Sequence, residues 1–321
     1  MTTRRRLHLA ALALAALCAT GAQAQGRQTR LVVSFPPGGP VDFVARALAE
    51  QLGKELGHTV IIENKAGGNG AIGAVEVLRP PHDGSTLWFS SVGAVAINPA
   101  LYDKLPYDMG RDFSPVSLVA NNVELLVVNP NDPAKDAAEF VAEAKRRPGG
   151  IAMASSGIGS IPHLAIEQFA DASGAPLLHV PYKGAAPAIT DVMGGQVGGF
   201  FGDVPGLIGH VKGGKLRALG LASERRHPAL PEVRTLAEQG IAGVDTNNWY
   251  ALFAPAKTPP AVLAELNAAV RRALTAPALR DKLLASGAEP APSTPAELAT
   301  LLKRDSDKWA KLIRDKKIKA E

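Results

Sequence analysis

The sequence predicts an α/β protein with two domains, each a mostly parallel sheet flanked by helices, joined by two crossover segments. Apolar strand-like runs alternate with helical periodicity in the first third of the chain, and the alternation restarts after an irregular segment at 103–122. A further strand and three helices then close the chain. Strands that alternate with helices pair in parallel and are covered on both faces, so each run predicts one layered unit. With 321 residues, 46% of them hydrophobic, the chain can bury a core in each unit.

Residues 1–24 have the pattern of a secretory signal peptide. Arg4 to Arg6 precede an apolar run, and an Ala-x-Ala cleavage pattern ends at Ala24. Cys18 offers lipid attachment as an alternative, which the bulky Leu17 before it disfavours. Because this leader has three arginines and no acidic residue, its removal lowers the formal net charge from +5 to +2, and no nucleic-acid partner is implied. The remaining chain has no cysteine, which excludes disulfides and cysteine metal sites and fits a bacterial periplasm.

The first domain begins with the apolar run Leu31–Phe35, which predicts a strand. After a Pro/Gly turn, apolar residues recur at three- and four-residue spacing from Val41 to Leu56, which predicts a helix. The next predicted elements are a strand at 59–63, a helix at 71–79 and a strand at 86–91.

The second domain is predicted to begin at the strand 123–128. Its other strands are expected at 151–154, 177–182, 197–201 and 215–222, and its helices at 133–147, 161–172 and 187–193. A strand at 249–255 and helices at 260–275, 277–286 and 295–317 are predicted to return to the first domain. The predicted boundaries are therefore 25–120 with 249–321 for domain 1, and 121–248 for domain 2, with a hinge and a cleft between them.

A Pro/Gly loop at 35–42 is the first candidate ligand site, because ligands of parallel sheets bind beyond the carboxyl ends of the strands. Gly38 and Gly39 allow backbone N–H groups to approach a ligand, and the helix behind them adds partial positive charge, which favours an anion. The alternative is a tight turn with Asp42 in the first helical turn. The candidate residues of this loop are Phe35, Pro37, Gly38, Gly39 and Asp42.

The second domain has a similar loop at 155–163, where hydroxyl and N–H groups gather at a helix start. Its candidates are Ser155, Ser156, Gly157, Ser160 and His163. Two later strand ends add Lys183 as a partner for a carboxylate and Asp203 as an acceptor for a ligand hydroxyl or amine. A solvated lysine and a helix cap are the equally weighted alternatives for these two residues.

The sequence matches the known motifs of enzymes and cofactor-binding proteins poorly. A GxGxxG pattern at Gly68, Gly70 and Gly73 resembles a dinucleotide fingerprint, but the strand that follows ends in serines, so close helix-to-strand packing explains it better. The sequence has no G-x-S-x-G elbow and no histidine pair at metal-ligand spacing. A triad of Ser156, His163 and Asp203 would need tertiary structure to bring its members together, and it defines the rival hypothesis of a secreted hydrolase.

Several segments, in order along the chain, resemble the Bug-type solute-binding receptors of tripartite tricarboxylate transporters. The matching segments are FPPGGPVDFVARALAEQL from Phe35, IIENKAGGNGAIGAVEV from Ile61, INPALYDKLPYDMGRDFSPVSLVA from Ile97, ASSGIGSIPHLAIEQF from Ala154, HVPYKGAAPAITDVMGGQV from His179, GKLRALGLASERRHPALPEVRTLAEQG from Gly214 and APAKTPPAVLAELNAAV from Ala254. Together they cover essentially the whole chain after the leader.

The resemblance implies a periplasmic receptor with a flytrap fold whose two domains close on a small organic carboxylate, including aromatic acids. It implies no catalysis and no cofactor or metal, a monomer, and either a tripartite transporter's membrane subunits or a sensor as partner. By position, the carboxylate loops are 35–42 and 155–163, flanked by Ser90, Ser91, Tyr182, Lys183 and Gly184. The family often has an acidic residue soon after the GGQV run, where this chain has Gly198 and Gly199. The acidic contact is therefore either Asp203 or absent.

Overall fold

A ten-stranded mixed sheet runs through the computed structural model, which describes residues 28–320. The predicted signal peptide and Cys18 lie outside the described residues. The strands are β1 (Gln28–Val33), β2 (Thr59–Asn64), β3 (Thr86–Ser91), β4 (Phe113–Val128), β5 (Ile151–Ser155), β6 (Leu177–Pro181), β7 (Gly199–Asp203), β8 (Arg217–Leu221), β9 (Asn247–Pro255) and β10 (Glu289–Pro290). Their order is β2-β1-β3-β9-β4-β7-β5-β6, with β8 and β10 also paired to β4.

The helices lie between these strands and after them. They are α1 (Pro40–Leu56), α2 (Ala71–Val77), α3 (Asn98–Leu101), α4 (Met109–Asp112), α5 (Ala137–Arg146), α6 (Ile161–Ser173), α7 (Ala185–Met193), α8 (Val204–Lys212), α9 (Pro260–Thr275), α10 (Pro277–Ser286) and α11 (Pro295–Lys316). Short 3-10 turns at 68–70 and 237–239 and a π-helical turn at 93–97 complete the set. Over the described range, no helix is both long enough and apolar enough to cross a membrane.

Local sequence explains where the main helices begin and end. Helix α1 begins with Pro40 at its first position and ends at Gly57, which adopts a left-handed conformation. Helix α11 begins with a capping box in which the Thr294 and Glu297 side chains each bond the other's backbone N–H.

The sheet divides into two lobes that share the long strand β4. In the first lobe, β1 pairs in parallel with β2 and β3, while β9 is antiparallel to both β3 and β4. In the second lobe, β5 pairs in parallel with β6 and β7, and the far half of β4 is antiparallel to β7 and β8. The predicted two-domain α/β fold is therefore confirmed, with antiparallel pairs concentrated where the lobes join.

Neighbouring residues on one strand face different cores, so each lobe has helices on both faces of its sheet. On β9, Trp249 packs with Trp88 and Trp309 on one face, and Tyr250 packs into the cluster on the other face. On β7, Phe200 and Phe201 divide in the same way between the two second-lobe clusters. Helices α9 and α10 pack against α1, helices α9 and α11 pack against β4, and α10 also contacts α8.

Two predictions about elements are wrong. The segment 113–122 was expected to be irregular, but it is the first part of the 16-residue strand β4. Its pairing with β9 carries two register shifts, the first just after Pro115, so the sequence lacks a clean strand pattern. Helix α8 was not predicted either, because Pro205, Gly206 and Gly209 lower its helix propensity. The predicted domain boundaries fall inside the continuous strands β4 and β9 and stay a prediction.

Candidate functional site

The first-lobe loop at 35–39 connects β1 to α1 and is held in place by one buried carboxylate. Asp42 Oδ2 accepts hydrogen bonds from Gly38 N at 3.0 Å and from Arg46 Nε at 2.8 Å, and its Oδ1 accepts one from Asn64 Nδ2 at 2.8 Å. Asn64 Nδ2 also donates to Phe35 O at 3.0 Å. Burial alone would raise the pKa of Asp42, but the donors from Arg46, Asn64 and Gly38 outweigh it, and the pKa lies below its ordinary value. Asp42 therefore fixes the shape of the loop as an anion.

The second-lobe loop between β5 and α6 is held by hydroxyl and imidazole groups. Ser160 is the N-cap of α6: its Oγ accepts from His163 N and donates to Gly157 O at 2.7 Å. Ser155 Oγ accepts from Gly157 N at 3.1 Å and shares a 2.6 Å hydrogen bond with His179 Nε2. Each of these side chains thus bonds the loop backbone directly or through a serine.

The two histidines behind this loop are stacked and neutral. The rings of His163 and His179 lie 3.9 Å apart at 11°, and His163 Nδ1 accepts from Gly159 N at 3.2 Å. Burial, and then the nearby His179, lowers the pKa of His163 to about 3, and burial lowers the pKa of His179 to about 4. Sequence reasoning missed His179, because no spacing rule places a residue of β6 beside one of α6.

Both loops border one small cavity of about 30 Å³ between the lobes. The lining residues are Phe35, Pro36, Gly39, Pro40, Val41, Asn69, Ser91, Ser156, Ser160, Ile161, Pro162, Ala185, Asp203 and Asn248. The N-terminal residues of α1, α6 and α7 all contribute to this lining. No side chain caps α1 or α7, so their ends present partial positive charge to the cavity.

The lobes touch across the cavity where prolines face glycines. A methyl group added at Gly184 would lie 2.6 Å from Pro36 Cδ, and one added at Gly206 would lie 2.9 Å from Pro40 Cδ. A side chain at either glycine would therefore separate the lobes. Pro36 and Gly206 were not predicted as site residues.

Six of the predicted site residues line the cavity: Phe35, Gly39, Ser91, Ser156, Ser160 and Asp203. The others are not part of its lining: Pro37, Gly38, Asp42, Ser90, Ser155, Gly157, His163, Tyr182, Lys183 and Gly184. Several of these have other partners in the structure. Tyr182 OH donates to Asp191 at 2.6 Å, for example, and Lys183 is exposed.

The proposed triad is not assembled within residues 28–320. No hydrogen bond connects Ser156, His163 and Asp203. His163 Nδ1 is occupied by the Gly159 N–H group, and Asp203 accepts hydrogen bonds from Asn248 and Tyr250. In the same range, no group of three potential metal ligands comes together.

Asn69 is a cavity residue that sequence reasoning missed. Its backbone is left-handed, with φ of 44°, and its Nδ2 donates to Asn98 Oδ1 at 3.0 Å. Asn98 is fully buried and donates in turn to Gly68 O and Asn69 O, which fixes the turn. The glycines of the GxGxxG pattern serve packing, as predicted: a methyl group at Gly73 would lie 2.6 Å from Ser34 Oγ.

Asp203 and Asn248 add polar groups to the lining of the cavity. Asp203 is the last residue of β7, and its carboxylate accepts from Asn248 Nδ2 at 3.0 and 3.1 Å and from Tyr250 OH. Glu124, directly opposite Asp203 in the β4–β7 pair, lies behind it and is completely buried. Glu124 gave no sequence signal, because a glutamate in an apolar strand usually faces solvent.

A larger cavity of about 650 Å³ lies beside the hinge strands, lined by residues such as Asn121, Asn247 and Glu289. Three of its cations already contact acidic groups: Arg226 contacts Glu238, Arg304 contacts Asp305, and Lys308 lies 3.9 Å from Asp245. The two strand-to-helix loops do not reach it, so the smaller cavity is the candidate site.

Known proteins are similar to this chain over most of its length. The chain is 36% identical over 98% of its length to the "UPF0065 protein in tcbD-tcbE intergenic region" of Pseudomonas sp. strain P51, of which 96% is covered. It is 35% identical over 90% of its length to protein BugT of Bordetella pertussis, of which 89% is covered.

Solved structures are similar over nearly the whole described chain. The periplasmic binding protein BugD aligns with a TM-score of 0.88 at 31% identity, covering 92% of this chain and 99% of BugD. R. palustris Rpa4515 with adipate has a TM-score of 0.87 at 32% identity, with 91% and 98% covered. MatC (Rpa3494) from Rhodopseudomonas palustris with bound malate has a TM-score of 0.84 at 32% identity, with 90% and 99% covered.

The model of the family described as "Tripartite tricarboxylate transporter family receptor" matches residues 44–318. This match begins within α1 and includes every later helix, from α2 to α11. The chain belongs to the tripartite tricarboxylate transporter receptor family.

Proposed function

We propose that this protein is a periplasmic receptor that binds a small organic carboxylate in the cavity between its lobes. The observation that carries the proposal is the convergence of three helix N-termini, from α1, α6 and α7, on one cavity shared by both lobes. Helix N-termini attract anions through their free N–H groups and their dipoles. Two cavity serines, Ser91 and Ser156, add hydroxyl donors at the same place.

A ligand in this position would hold the lobes together. An anion bound to loops of both lobes favours the arrangement in which the loops meet, so its binding energy shifts the population toward the closed form. The proline–glycine contacts at Pro36 and Gly184 are part of that arrangement. This action requires no catalysis.

The structural neighbours with adipate and with malate support a small mono- or dicarboxylate as the ligand class. The family supports the membrane subunits of a tripartite tricarboxylate transporter as partner, with a sensor as the alternative. We further propose export by the N-terminal signal peptide, a monomeric state, and the domain boundaries 25–120 with 249–321 and 121–248.

The test is a thermal-shift screen of residues 25–321 against small carboxylic acids, each paired with its amide or ester. At a hundredfold excess of ligand over its Kd, we expect about 2.7 kcal/mol of stabilisation, which disappears when the carboxylate is blocked. Stabilisation by the neutral analogues alone would contradict a carboxylate receptor.

The same screen tests the hydrolase hypothesis. Ester and acid are quantified after incubation with the wild-type protein and with Ser156→Ala. A receptor leaves the ester intact, and Ser156→Ala only weakens binding. Ester hydrolysis that Ser156→Ala abolishes would overturn the receptor proposal.

A further inference from the structure

Two buried carboxyl groups, Glu124 and Asp203, lie side by side at the cavity. Glu124 and Asp203 are directly paired across β4 and β7, and both side chains are at least nine-tenths buried. Asp203 lines the cavity, whereas Glu124 lies behind it. The site therefore contains a pair of acidic residues, of which Asp203 can contact a ligand.

The two acids have very different partners. Asp203 accepts hydrogen bonds from Asn248 and Tyr250, while neither Oε atom of Glu124 receives a hydrogen bond from any residue that the structure describes. No lysine, arginine or histidine of residues 28–320 forms an ion pair with either carboxyl group. The nearby titratable group is Tyr250, which donates its O–H to Asp203.

Adjacent carboxylates without a cation cannot both be ionised in a buried site, so the pair retains a proton. That proton belongs on Glu124, because Asn248 and Tyr250 both donate to Asp203 and stabilise its negative charge. Burial raises the pKa of Asp203 to about 6, so that Asp203 is the member of the pair that ionises at neutral pH. Burial, followed by the charge of Asp203, raises the pKa of Glu124 well above its ordinary value, in agreement with this assignment.

We propose that Asp203 accepts a hydrogen bond from a hydroxyl or ammonium group of the ligand, and that Glu124 is a positioning residue that keeps Asp203 in this role. The ligand class is then a hydroxy- or amino-carboxylic acid, with its carboxylate at the loops and its donor at Asp203. This inference rests on the proposed function and narrows it. A second carboxylate without such a donor would be repelled by Asp203.

Asp203 has a free acceptor position for this purpose. An ionised carboxylate offers about four lone-pair positions, and here two side chains donate to it, Asn248 to both oxygens and Tyr250 to Oδ2. These contacts take three of the four positions, which leaves one for the ligand.

The experiment compares acids that differ only by one donor: 4-hydroxybutyrate and 4-aminobutyrate with butyrate, and malate with succinate. Affinities for the wild-type protein are measured by calorimetry. We expect the donor-bearing member of at least one pair to bind about tenfold or more tightly, as for a hydrogen bond to a charged group. Equal or weaker binding of the donor-bearing acid in every pair would overturn the inference.

Variants assign the preference to residues. Asp203→Asn should reduce the affinity ratio within the preferred pair to less than about threefold, because the charged acceptor is lost. Glu124→Gln should preserve the ratio, because it keeps a neutral side chain of the same size behind Asp203, whereas Glu124→Ala should lose it. A structural role alone would lower the melting temperature without changing the ratio. Glu143→Gln, at a buried glutamate in α5, is the matched control.

The outcomes separate this inference from the proposed function. If succinate and butyrate bind in a carboxylate-dependent manner but no donor preference is found, the receptor proposal stands and the role of Asp203 fails. If none of the acids binds better than its amide, the proposed function itself fails. Where Asp203→Asn does not fold, the wild-type ratios decide.

Discussion

The two loops that meet at the cavity each connect a strand to the N-terminus of a helix, but different side chains hold them in place. In the first lobe the ionised Asp42 accepts from Gly38, Arg46 and Asn64. In the second lobe the neutral, stacked His163 and His179 hold the backbone through Gly159 and Ser155. An ionised side chain holds the loop of the first lobe, and neutral side chains hold the loop of the second lobe.

This difference gives the loops different responses to acid. The low pKa of Asp42 means that its contribution to stability is complete above its ordinary value of 3.8 and is lost below it. The histidines have an ordinary value of 6.5 and folded values of about 3 and 4. As the pH falls, the histidines of the unfolded chain therefore bind protons at a higher pH than those of the folded chain. The contribution of the two histidines to stability is complete above pH 6.5 and declines as the pH falls toward 3.

The largest effect is expected from Asp42→Ala. It leaves the Gly38 N–H, one amide hydrogen of Asn64 and the Arg46 guanidinium without their acceptor, and we expect about 3 kcal/mol of lost unfolding free energy. Chemical denaturation measures this loss. The control Arg46→Ala, which removes only a half-exposed partner, should cost less than about 1 kcal/mol. If both variants lost the same unfolding free energy, Asp42 would stabilise the protein through its ion pair with Arg46 and not through the loop.

The second prediction concerns acid destabilisation through the histidine pair. Each pKa unit corresponds to about 1.4 kcal/mol, and because His179 is partly accessible, whereas His163 is buried, we expect only about 2 kcal/mol of stability to be lost between pH 7 and 4. The double variant His163→Asn with His179→Gln preserves an acceptor near each ring nitrogen and should flatten this part of the profile. His227, whose pKa is also lowered, remains in both proteins and serves as the background. A profile unchanged by the double variant would contradict the assignment.

The sequence predicted both loops, because Pro/Gly turns between a strand and a helix are visible locally. Their anchors were not equally visible. Asp42 is four residues from Gly38 and belongs to the same turn, whereas His163 and His179 come together only because α6 packs against β6. Glu124 was missed for a similar reason, since its burial depends on β7 and β9 covering β4.

The fold shows the same limit. Elements with an uninterrupted pattern, such as β3 and α10, were predicted with their observed bounds. The first half of β4 was not, because Pro115 and the register shifts that follow it disturb the alternation, and pairing with β9 supplies the strand geometry. The predicted pattern thus failed at the segment that links the lobes.

A third prediction tests whether the loops must meet. Gly206 and Gly209 both lie in α8 with ordinary backbone angles, but only Gly206 faces Pro40, and nothing lies within 4 Å of a methyl group at Gly209. Gly206→Ala should weaken binding of a carboxylate ligand by about tenfold, because the added carbon keeps the lobes apart. Calorimetry measures the affinity, and small-angle scattering measures the closure.

Gly209→Ala is the matched control for this prediction. It adds the same methyl group to the same helix and should stabilise the protein by up to about 1 kcal/mol with unchanged affinity. Because Gly206→Ala gains the same helix propensity, a loss of affinity in that variant alone reports on the contact between the lobes. If both variants bind alike, the proline–glycine contact does not limit closure.

The smallest effect is expected from giving the first loop the cap that the second loop already has. Helix α6 is capped by the Ser160 side chain, whereas Gly39 provides no side-chain cap to α1. A methyl group at Gly39 would have only ordinary contacts, at 3.9 Å, so Gly39→Ser fits and should add a few tenths of a kcal/mol of stability. The serine hydroxyl would occupy N–H groups that we propose for the ligand, so affinity should fall while the melting temperature rises slightly. A serine variant that binds the carboxylate as tightly as the wild-type protein would show that the N-terminus of α1 does not contribute to the site.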